Sequence, residues 1–322
     1  MKENNYQRTS YKAKLSLLFV SLLVSVFVLE FALRFYRVGD DERNLLYEHH
    51  KLLGWFPQKN MSKEFTGANT IHINHNSLGF RDKELSFDKG NKRILVLGDS
   101  FAYGYDSQLH QRFSEILDKK LENYQIFNLG VSGYSTDQEF LLLKEYYHII
   151  DPDLVYLLYH HNDWHGNSVN HIYNGYYKPY YVLDSETNSI RLKGIPVPKS
   201  IQHLKYEYPL FYKSKIVIWL TSILYNNNIV EISGNPQITF KLLKEIKIFV
   251  EQNKGADFKI GIVGNGSTPS LIEFLDNEKF DWISIDQDKD KKFFTSTGHW
   301  SKLGNKRAAK KMLDHIKVSK RL

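Results

Sequence analysis

Four short polar segments of the sequence hold residue types that could carry out covalent chemistry. They are GDSFAYG at 98–104, NLGVSGYS at 128–135, HHND at 160–163 and TGHWSKLG at 297–304. A serine at a strand-to-helix turn exposes its hydroxyl and points its own backbone N–H into the same space, which suits a nucleophile that also stabilises an oxyanion. Ser100 is predicted to have this position, although a helix cap explains a lone serine equally well.

The other three segments supply the groups that such a serine needs. His299 could accept the serine proton as a general base. A glycine N–H in the second segment and the side-chain amide of Asn162 could both donate to one substrate oxygen. Each residue alone also has a structural explanation, so the prediction depends on their combination.

The hydrophobic pattern predicts the elements that place these segments. Short apolar runs predict buried strands over 93–97, 126–130, 154–159, 259–263 and 282–285. Helical periodicity follows over 113–121 and 140–150, from 236 onward and over 303–316. This alternation predicts an α/β fold with a mostly parallel sheet that helices cover on both faces. Because ligands bind at the carboxyl ends of such strands, the polar segments are expected to meet there.

The ordered set of serine, glycine, asparagine and histidine resembles the SGNH, or GDSL-type, hydrolase family over about residues 91–318. The resemblance implies a three-layer α/β/α fold, a nucleophilic Ser100, the base His299 and no cofactor. It also implies an oxyanion hole made of the N–H groups of Ser100 and Gly133 and the side chain of Asn162. Gly133 is preferred to Gly130 because family members usually place this glycine at the end of an N-x-x-x-S-G stretch.

Two departures from the family pattern affect the expected activity. His160 stands where the family usually has a glycine, and Ser296 stands where it has the acid of D-x-x-H. We therefore predict a Ser–His dyad in which a carbonyl, Ser296 or a remote carboxylate orients His299. Since loss of the orienting acid of a triad can cost about four orders of magnitude in rate, low activity is one expected outcome.

No metal site is predicted. His160, His161, Asp163 and His165 form a tempting cluster, but neighbouring residues on a strand point to opposite faces. The sequence has no cysteine, which excludes disulfides, thiolate nucleophiles and cysteine-based metal centres. The net charge of +7 has no nucleic-acid recognition motif beside it, so no nucleic-acid partner is predicted, and protein partners stay open.

An N-terminal segment predicts a membrane anchor. Residues 15–29 are uncharged, Glu30 interrupts them and residues 31–33 continue the apolar run, which is just long enough to cross a bilayer. A cleaved signal peptide is the alternative, but no A-x-A-like site follows the run. Basic residues precede it and favour a cytoplasmic N-terminus with the remainder outside: Lys2, Arg8, Lys12 and Lys14.

The chain is thus divided into a cytoplasmic head and anchor (1–38), a juxtamembrane segment (39–90) and an SGNH-like domain (91–319). An insertion at about 164–235 contains a predicted hairpin over 182–192 and a group of tyrosines that either shape a pocket or pack for stability: Tyr173, Tyr176, Tyr177, Tyr180 and Tyr181. The expected function is a membrane-anchored esterase that removes acetyl or short acyl groups from envelope glycan or lipid. The alternatives are an O-acyltransferase acting on an envelope polysaccharide and a catalytically weak glycan-binding protein.

Overall fold

The computed structural model describes residues 11–35, 46–87, 91–172, 176–184, 186–231, 236–253, 255–264, 267–286 and 290–318. Lys2, Arg8 and Tyr173 of the predictions above lie outside these residues. The strands are β1 (Tyr47–His50), β2 (Gly54–Pro57), β3 (Ser62–Thr66), β4 (Thr70–Asn74), β5 (Lys92–Gly98), β6 (Tyr124–Asn128), β7 (Leu154–His160), β8 (His171–Ile172), β9 (Tyr176–Tyr177), β10 (Tyr180–Leu183), β11 (Ile190–Lys193), β12 (Asp257–Val263) and β13 (Asp281–Ser284). The helices are α1 (Tyr11–Arg34), α2 (Ser100–Tyr103), α3 (Phe113–Asp118), α4 (Thr136–Ile150), α5 (Asn162–Gly166), α6 (Ile201–Glu207), α7 (Lys215–Asn227), α8 (Pro236–Gln252), α9 (Pro269–Asn277) and α10 (Lys302–Val318).

The central sheet has the order β13-β12-β7-β5-β6, and every neighbouring pair is parallel. Its strands are the five predicted from apolar runs. They are apolar on both faces because helices cover both sides, as expected for a parallel sheet. The carboxyl ends of β5, β6 and β7 therefore open on the same edge.

Helices form a layer on each face of the sheet. On one face, α4, α8 and α9 bury residues such as Leu142, Leu242 and Leu275. On the other face, α3 and α10 bury Phe113 and Met312. The predicted three-layer α/β/α fold is confirmed.

Residues 46–87 pack against the edge of the sheet that carries the polar segments. Trp55, in β2, is buried in the same core as β5 and β7, and its Nε1 donates to the Ser132 carbonyl over 3.3 Å. The buried Arg81 guanidinium donates to the carbonyls of Gly104 and Ser107 over 2.6 Å each. These contacts attach the segment to the loops that follow β5 and β6.

His75 gives this packing a testable pH dependence. Its ring is buried between the Gln58 carbonyl and the Tyr103 hydroxyl, each 2.9 Å from a ring nitrogen, and burial lowers its pKa to about 4. In the unfolded chain a histidine takes up a proton near pH 6.5. Between pH 6.5 and 4 the unfolded state therefore binds more protons, and stability falls as the pH falls.

We expect His75→Gln to reduce the loss of unfolding free energy between pH 7 and pH 4.5 by about 1 to 3 kcal/mol. The measurement is urea unfolding of both proteins at the two pH values. His72→Gln, on the exposed side of β4, is the matched control and should behave like the wild type. An unchanged pH dependence in His75→Gln would refute the assignment.

The insertion consists of small elements that pack onto the main domain. The predicted hairpin is present as the antiparallel pair β10 and β11. Tyr176, Tyr177 and Tyr181 are buried, so these rings contribute to packing and do not offer a free face to a ligand. The insertion also contains α6 and α7.

α1 has no buried residue, and among its residues Glu30 and Leu33 are partly covered. Among the described residues it is the one helix that is long and apolar enough to cross a membrane, and it lies near the N-terminus. A single-pass anchor is compatible with this helix.

Candidate active site

Ser100 is the first residue of α2, directly after β5. Asp99 caps the helix by accepting a hydrogen bond from the Phe101 N–H over 2.9 Å. The cap leaves the Ser100 N–H available, because the first N–H groups of a helix have no partner within it. The serine is thus held at the carboxyl end of the sheet with both its hydroxyl and its N–H at the helix start.

His299 reaches Ser100 from the loop before α10. Its Nε2 lies 2.8 Å from Ser100 Oγ, a hydrogen-bond distance. The imidazole packs against the rings of Tyr105 and Phe101, with centroid distances of 4.5 and 5.3 Å. Two residues at opposite ends of the domain are thus brought into direct contact.

The other side of the imidazole faces a threonine and a buried carboxylate. His299 Nδ1 lies 2.9 Å from Thr297 Oγ1 and 3.7 Å from Asp106 Oδ2. The Thr297 hydroxyl in turn donates to Asp106 Oδ2. Because that hydroxyl has a single proton, it accepts from Nδ1–H, which leaves Nε2 free to accept the serine proton. None of the three alternatives for orienting His299 is the direct partner of Nδ1, which is the Thr297 hydroxyl; a remote carboxylate, Asp106, lies behind that hydroxyl.

The β3–β4 hairpin holds Asp106 in place. Asp106 has a left-handed backbone with φ of 65°, and its Oδ1 accepts from the Ala68 N–H over 2.8 Å. Thr295 Oγ1 donates to Oδ2 over 2.9 Å. A Cβ atom at Gly67 would lie only 2.2 Å from Oδ1, so the hairpin tip needs a glycine there. The carboxylate is fully buried, which keeps its orientation fixed.

Sequence reasoning missed Asp106. The D-x-x-H pattern directs attention to an acid next to His299 along the chain, whereas Asp106 belongs to the segment that follows Ser100. The turn at Asp106 and the tip of a distant hairpin create the contact, and no sequence spacing connects them. The one available signal was an acid close behind Ser100 in GDSFAYGYD.

Gly133 lies in a turn after β6. Its φ of 85° and the hydrogen bond from the Tyr134 N–H to the Val131 carbonyl, 3.1 Å long, define a type II turn. The Val131 N–H donates to the Gly98 carbonyl over 3.0 Å, which places this turn beside the nucleophile segment. Within the described part of the chain, no hydrogen bond uses the Gly133 N–H.

Gly130 has a different environment. Its N–H donates to Asn128 Oδ1 over 2.9 Å, so it is already used inside the protein. A Cβ atom at Gly130 would lie 2.5 Å from Ala102 Cβ, because the loop packs directly on α2. The Gly130 N–H is therefore not available to a substrate oxygen.

Asn162 and His160 form a network with Asp99. Asn162 Nδ2 donates to Asp99 Oδ2 over 3.1 Å, and Asn162 Oδ1 lies 2.8 Å from His160 Nδ1. His160 Nδ1 is also 3.2 Å from Asp99 Oδ2. The network fixes both ends of the amide and leaves one of its two protons for another acceptor.

The two titratable groups in this network, His160 and Asp99, stabilise each other's charged forms. Burial disfavours a charged imidazole at His160, but the Asp99 carboxylate outweighs burial and raises the pKa of His160. Burial alone would raise the pKa of Asp99, but His160 reverses this and the pKa is lowered. The histidine that replaces the usual glycine is therefore part of the support of Asn162.

The expected orientation of the His160 and His161 side chains is wrong. The rings of His160 and His161 do not point to opposite faces but lie 4.1 Å apart, because β7 ends at His160. Within the described residues, no group of three or more histidine, cysteine, aspartate or glutamate side chains is arranged to hold a metal ion.

The sequence matches no protein-family model, and no curated protein is significantly similar to it. Among solved structures, it is similar to a member of the lipolytic protein G-D-S-L family from Veillonella parvula, with 14% identity, a TM-score of 0.41 and coverage of 69% of this chain and 97% of that chain. A second is the psychrotrophic esterase EstA from Pseudoalteromonas sp., with 14% identity, a TM-score of 0.41 and coverage of 72% and 100%. A third is a GDSL-like lipase from Bacteroides thetaiotaomicron, with 11% identity, a TM-score of 0.38 and coverage of 72% and 92%.

Proposed function

We propose that the chain is a serine esterase that forms an acyl-enzyme on Ser100. His299 Nε2 takes the Ser100 proton while Oγ attacks the ester carbonyl carbon. The N–H groups of Ser100 and Gly133 and the Asn162 amide stabilise the resulting oxyanion. His299 then returns the proton to the leaving alcohol, and a water molecule hydrolyses the acyl-enzyme by the same route in reverse order.

Asp106 and Thr297 act in this scheme as positioning residues. They hold the Nδ1–H tautomer of His299, so that Nε2 presents its lone pair to Ser100. When His299 becomes an imidazolium, the Asp106 carboxylate stabilises its positive charge. The expected Ser–His dyad is thus extended to a third member through the threonine hydroxyl.

A single observation carries the proposal: the 2.8 Å contact of Ser100 Oγ with His299 Nε2, with Nδ1 on the opposite side bound to Thr297 beside Asp106. The weak glycan-binding alternative depended on a missing acid. Asp106 removes that support.

The proposed substrate is an acetyl or short-chain acyl ester on envelope glycan or lipid. Ser100 is only 6% exposed and lies next to Phe101, which favours a small acyl group. The envelope location is supported by α1 and by the basic residues that precede its apolar run, which favour a cytoplasmic N-terminus and a catalytic domain outside. The buried tyrosines of the insertion do not support a glycan substrate, so the choice between glycan and lipid depends on the experiment.

We expect full-length protein in detergent to hydrolyse 4-nitrophenyl acetate with a kcat/KM about tenfold or more above that for the octanoate, because a nearly buried nucleophile is less accessible to an ester with a long acyl chain. The measurement is a series of acetate, butyrate and octanoate esters, corrected with Ser100→Ala. A preference for octanoate would contradict the small acyl site.

Acyl transfer to an alcohol is the second candidate function. The packing of Tyr105 and Phe101 on His299 favours it, because rings that limit access of water lengthen the life of an acyl-enzyme. Incubation with an acetyl ester and an oligosaccharide distinguishes the two. Acetylated sugar in excess of free acetate would assign transfer, and free acetate alone would assign hydrolysis.

A further inference from the structure

α7 exposes an apolar face to solvent. Ile218 and Tyr225 are its buried residues and pack toward the domain. Four large apolar side chains are 40% to 62% exposed and recur at helical spacing: Trp219, Leu220, Ile223 and Leu224. A soluble helix normally presents polar residues on that side, so this face indicates contact with an apolar partner.

The segment before α7 extends the same surface. From the last turn of α6 to the start of α7, four more large side chains are 53% to 77% exposed: Tyr206, Tyr208, Leu210 and Phe211. Aromatic residues of this kind are typical of the membrane–water interface, where a ring can lie in the acyl region while its polar atom stays hydrated. We call residues 206–224 the apolar surface of the insertion.

α1 binds this surface through Glu30. The Glu30 carboxylate accepts from the Lys215 N–H over 2.9 Å, from the Ile216 N–H over 3.1 Å and from Ser214 Oγ over 2.8 Å. These groups form the start of α7. The positive end of the helix dipole therefore meets a carboxylate that interrupts an otherwise apolar helix.

The position of Glu30 sets the level of α7 in a membrane. Glu30 lies four residues before Arg34, the last residue of α1, so it is about 6 Å along the axis from that end. Lys213 and Ile216 line a groove with Leu23 and Phe27. Both of these α1 residues are farther than Glu30 from the C-terminal end of the helix. If α1 spans the bilayer, the start of α7 is at the boundary between headgroups and acyl chains. A carboxylate there is costly unless it is paired, and α7 provides the partner.

We infer that the apolar surface of the insertion lies in the outer leaflet, as a second membrane contact that fixes how the catalytic domain sits on the bilayer. The occupant is lipid, because the surface is continuous with α1, contains exposed tyrosines, leucines and a tryptophan, and includes a helix whose solvent-facing side is apolar. This inference rests on the anchor topology of the proposed function and does not depend on the catalytic residues.

The absence of cysteine permits a direct test. A single cysteine is placed at Leu210 or Leu224 in the full-length chain, labelled with a bimane fluorophore and reconstituted in phosphatidylcholine vesicles that carry brominated acyl chains. Leu22→Cys, in the middle of α1, reports the anchor. Ile149→Cys, 50% exposed on α4, is the matched control for an apolar residue far from the surface.

We expect brominated lipid to quench the labels at Leu22, Leu210 and Leu224 at least twofold more than the label at Ile149. Quenching at Leu22 alone would overturn this inference and leave the anchor intact, whereas absence of quenching at Leu22 would overturn the anchor itself. Efficient disulfide cross-linking between copies at Leu224→Cys, without lipid quenching there, would assign the surface to a second copy and also overturn the inference.

Discussion

Ser100→Ala is expected to lower kcat/KM for 4-nitrophenyl acetate by at least about 10³-fold. The variant keeps the oxyanion donors but has no oxygen that can form the acyl-enzyme, so only residual catalysis by binding and polarisation remains. The measurement is steady-state hydrolysis by full-length protein in detergent, with folding checked by circular dichroism. Ser86→Ala, an exposed serine outside the site, is the matched control and should keep wild-type activity.

The same experiment can show whether Ser100 and His299 act as a unit. Residues that share one catalytic step are strongly non-additive. We therefore expect Ser100→Ala combined with His299→Ala to be no slower than Ser100→Ala alone. A further loss of tenfold or more in the double variant would separate the two residues and contradict the shared step.

Asp106→Asn is expected to lower kcat by about 10² to 10⁴-fold with little change in KM. The amide keeps the shape of the side chain but removes the charge that stabilises the imidazolium and can present an N–H to Thr297. The measurement is the separation of kcat from KM, together with the pH profile of kcat/KM. Because the imidazolium loses its neighbouring charge, the acidic limb of that profile should move to lower pH.

Variants of Thr297 and of Asp290 distinguish a positioning role of Asp106 from simple destabilisation of the protein. Thr297→Val should lower kcat in the same direction, whereas Thr297→Ser should restore most of it, because the Thr297 hydroxyl connects the His299 ring to Asp106. Asp290→Asn changes an acid that is closer to His299 along the chain and should keep wild-type activity. If Asp106→Asn retained kcat within twofold, Asp106 would have no part in the mechanism.

The sheet and the positions of Ser100 and Asn162 at one of its edges follow from general rules, whereas the loop before α10 brings His299 there. Each strand is a short apolar run, and parallel strands end on one edge, so residues directly after them converge. The residues at which strands and helices end were less predictable. β6 ends at Asn128, two residues before the predicted end, because the Asn128 side chain binds the Gly130 N–H and turns the chain. α3 ends at Asp118, although the apolar period continues to Leu121.

The support of the site could not be predicted from spacing. The position of the Asp106 carboxylate depends on the left-handed backbone of Asp106 itself and on its contact with the hairpin tip at residues 67–69. A local sequence pattern does not encode such a long-range contact. Likewise, the contact of His160 with Asp99 explains a departure from the family pattern only once β5 and β7 are neighbours. The tyrosines of the insertion show the same limit, since a tyrosine that packs and a tyrosine that binds a ligand look identical in sequence.

Covalent labelling tests the central claim most directly. Full-length protein is treated with a fluorophosphonate, which phosphonylates an activated serine, and the modified peptide is identified by mass spectrometry. The account predicts a single adduct on Ser100, absent in Ser100→Ala and formed at least about tenfold more slowly in His299→Ala. An adduct on another residue, or no adduct in wild-type protein that is folded, would contradict it.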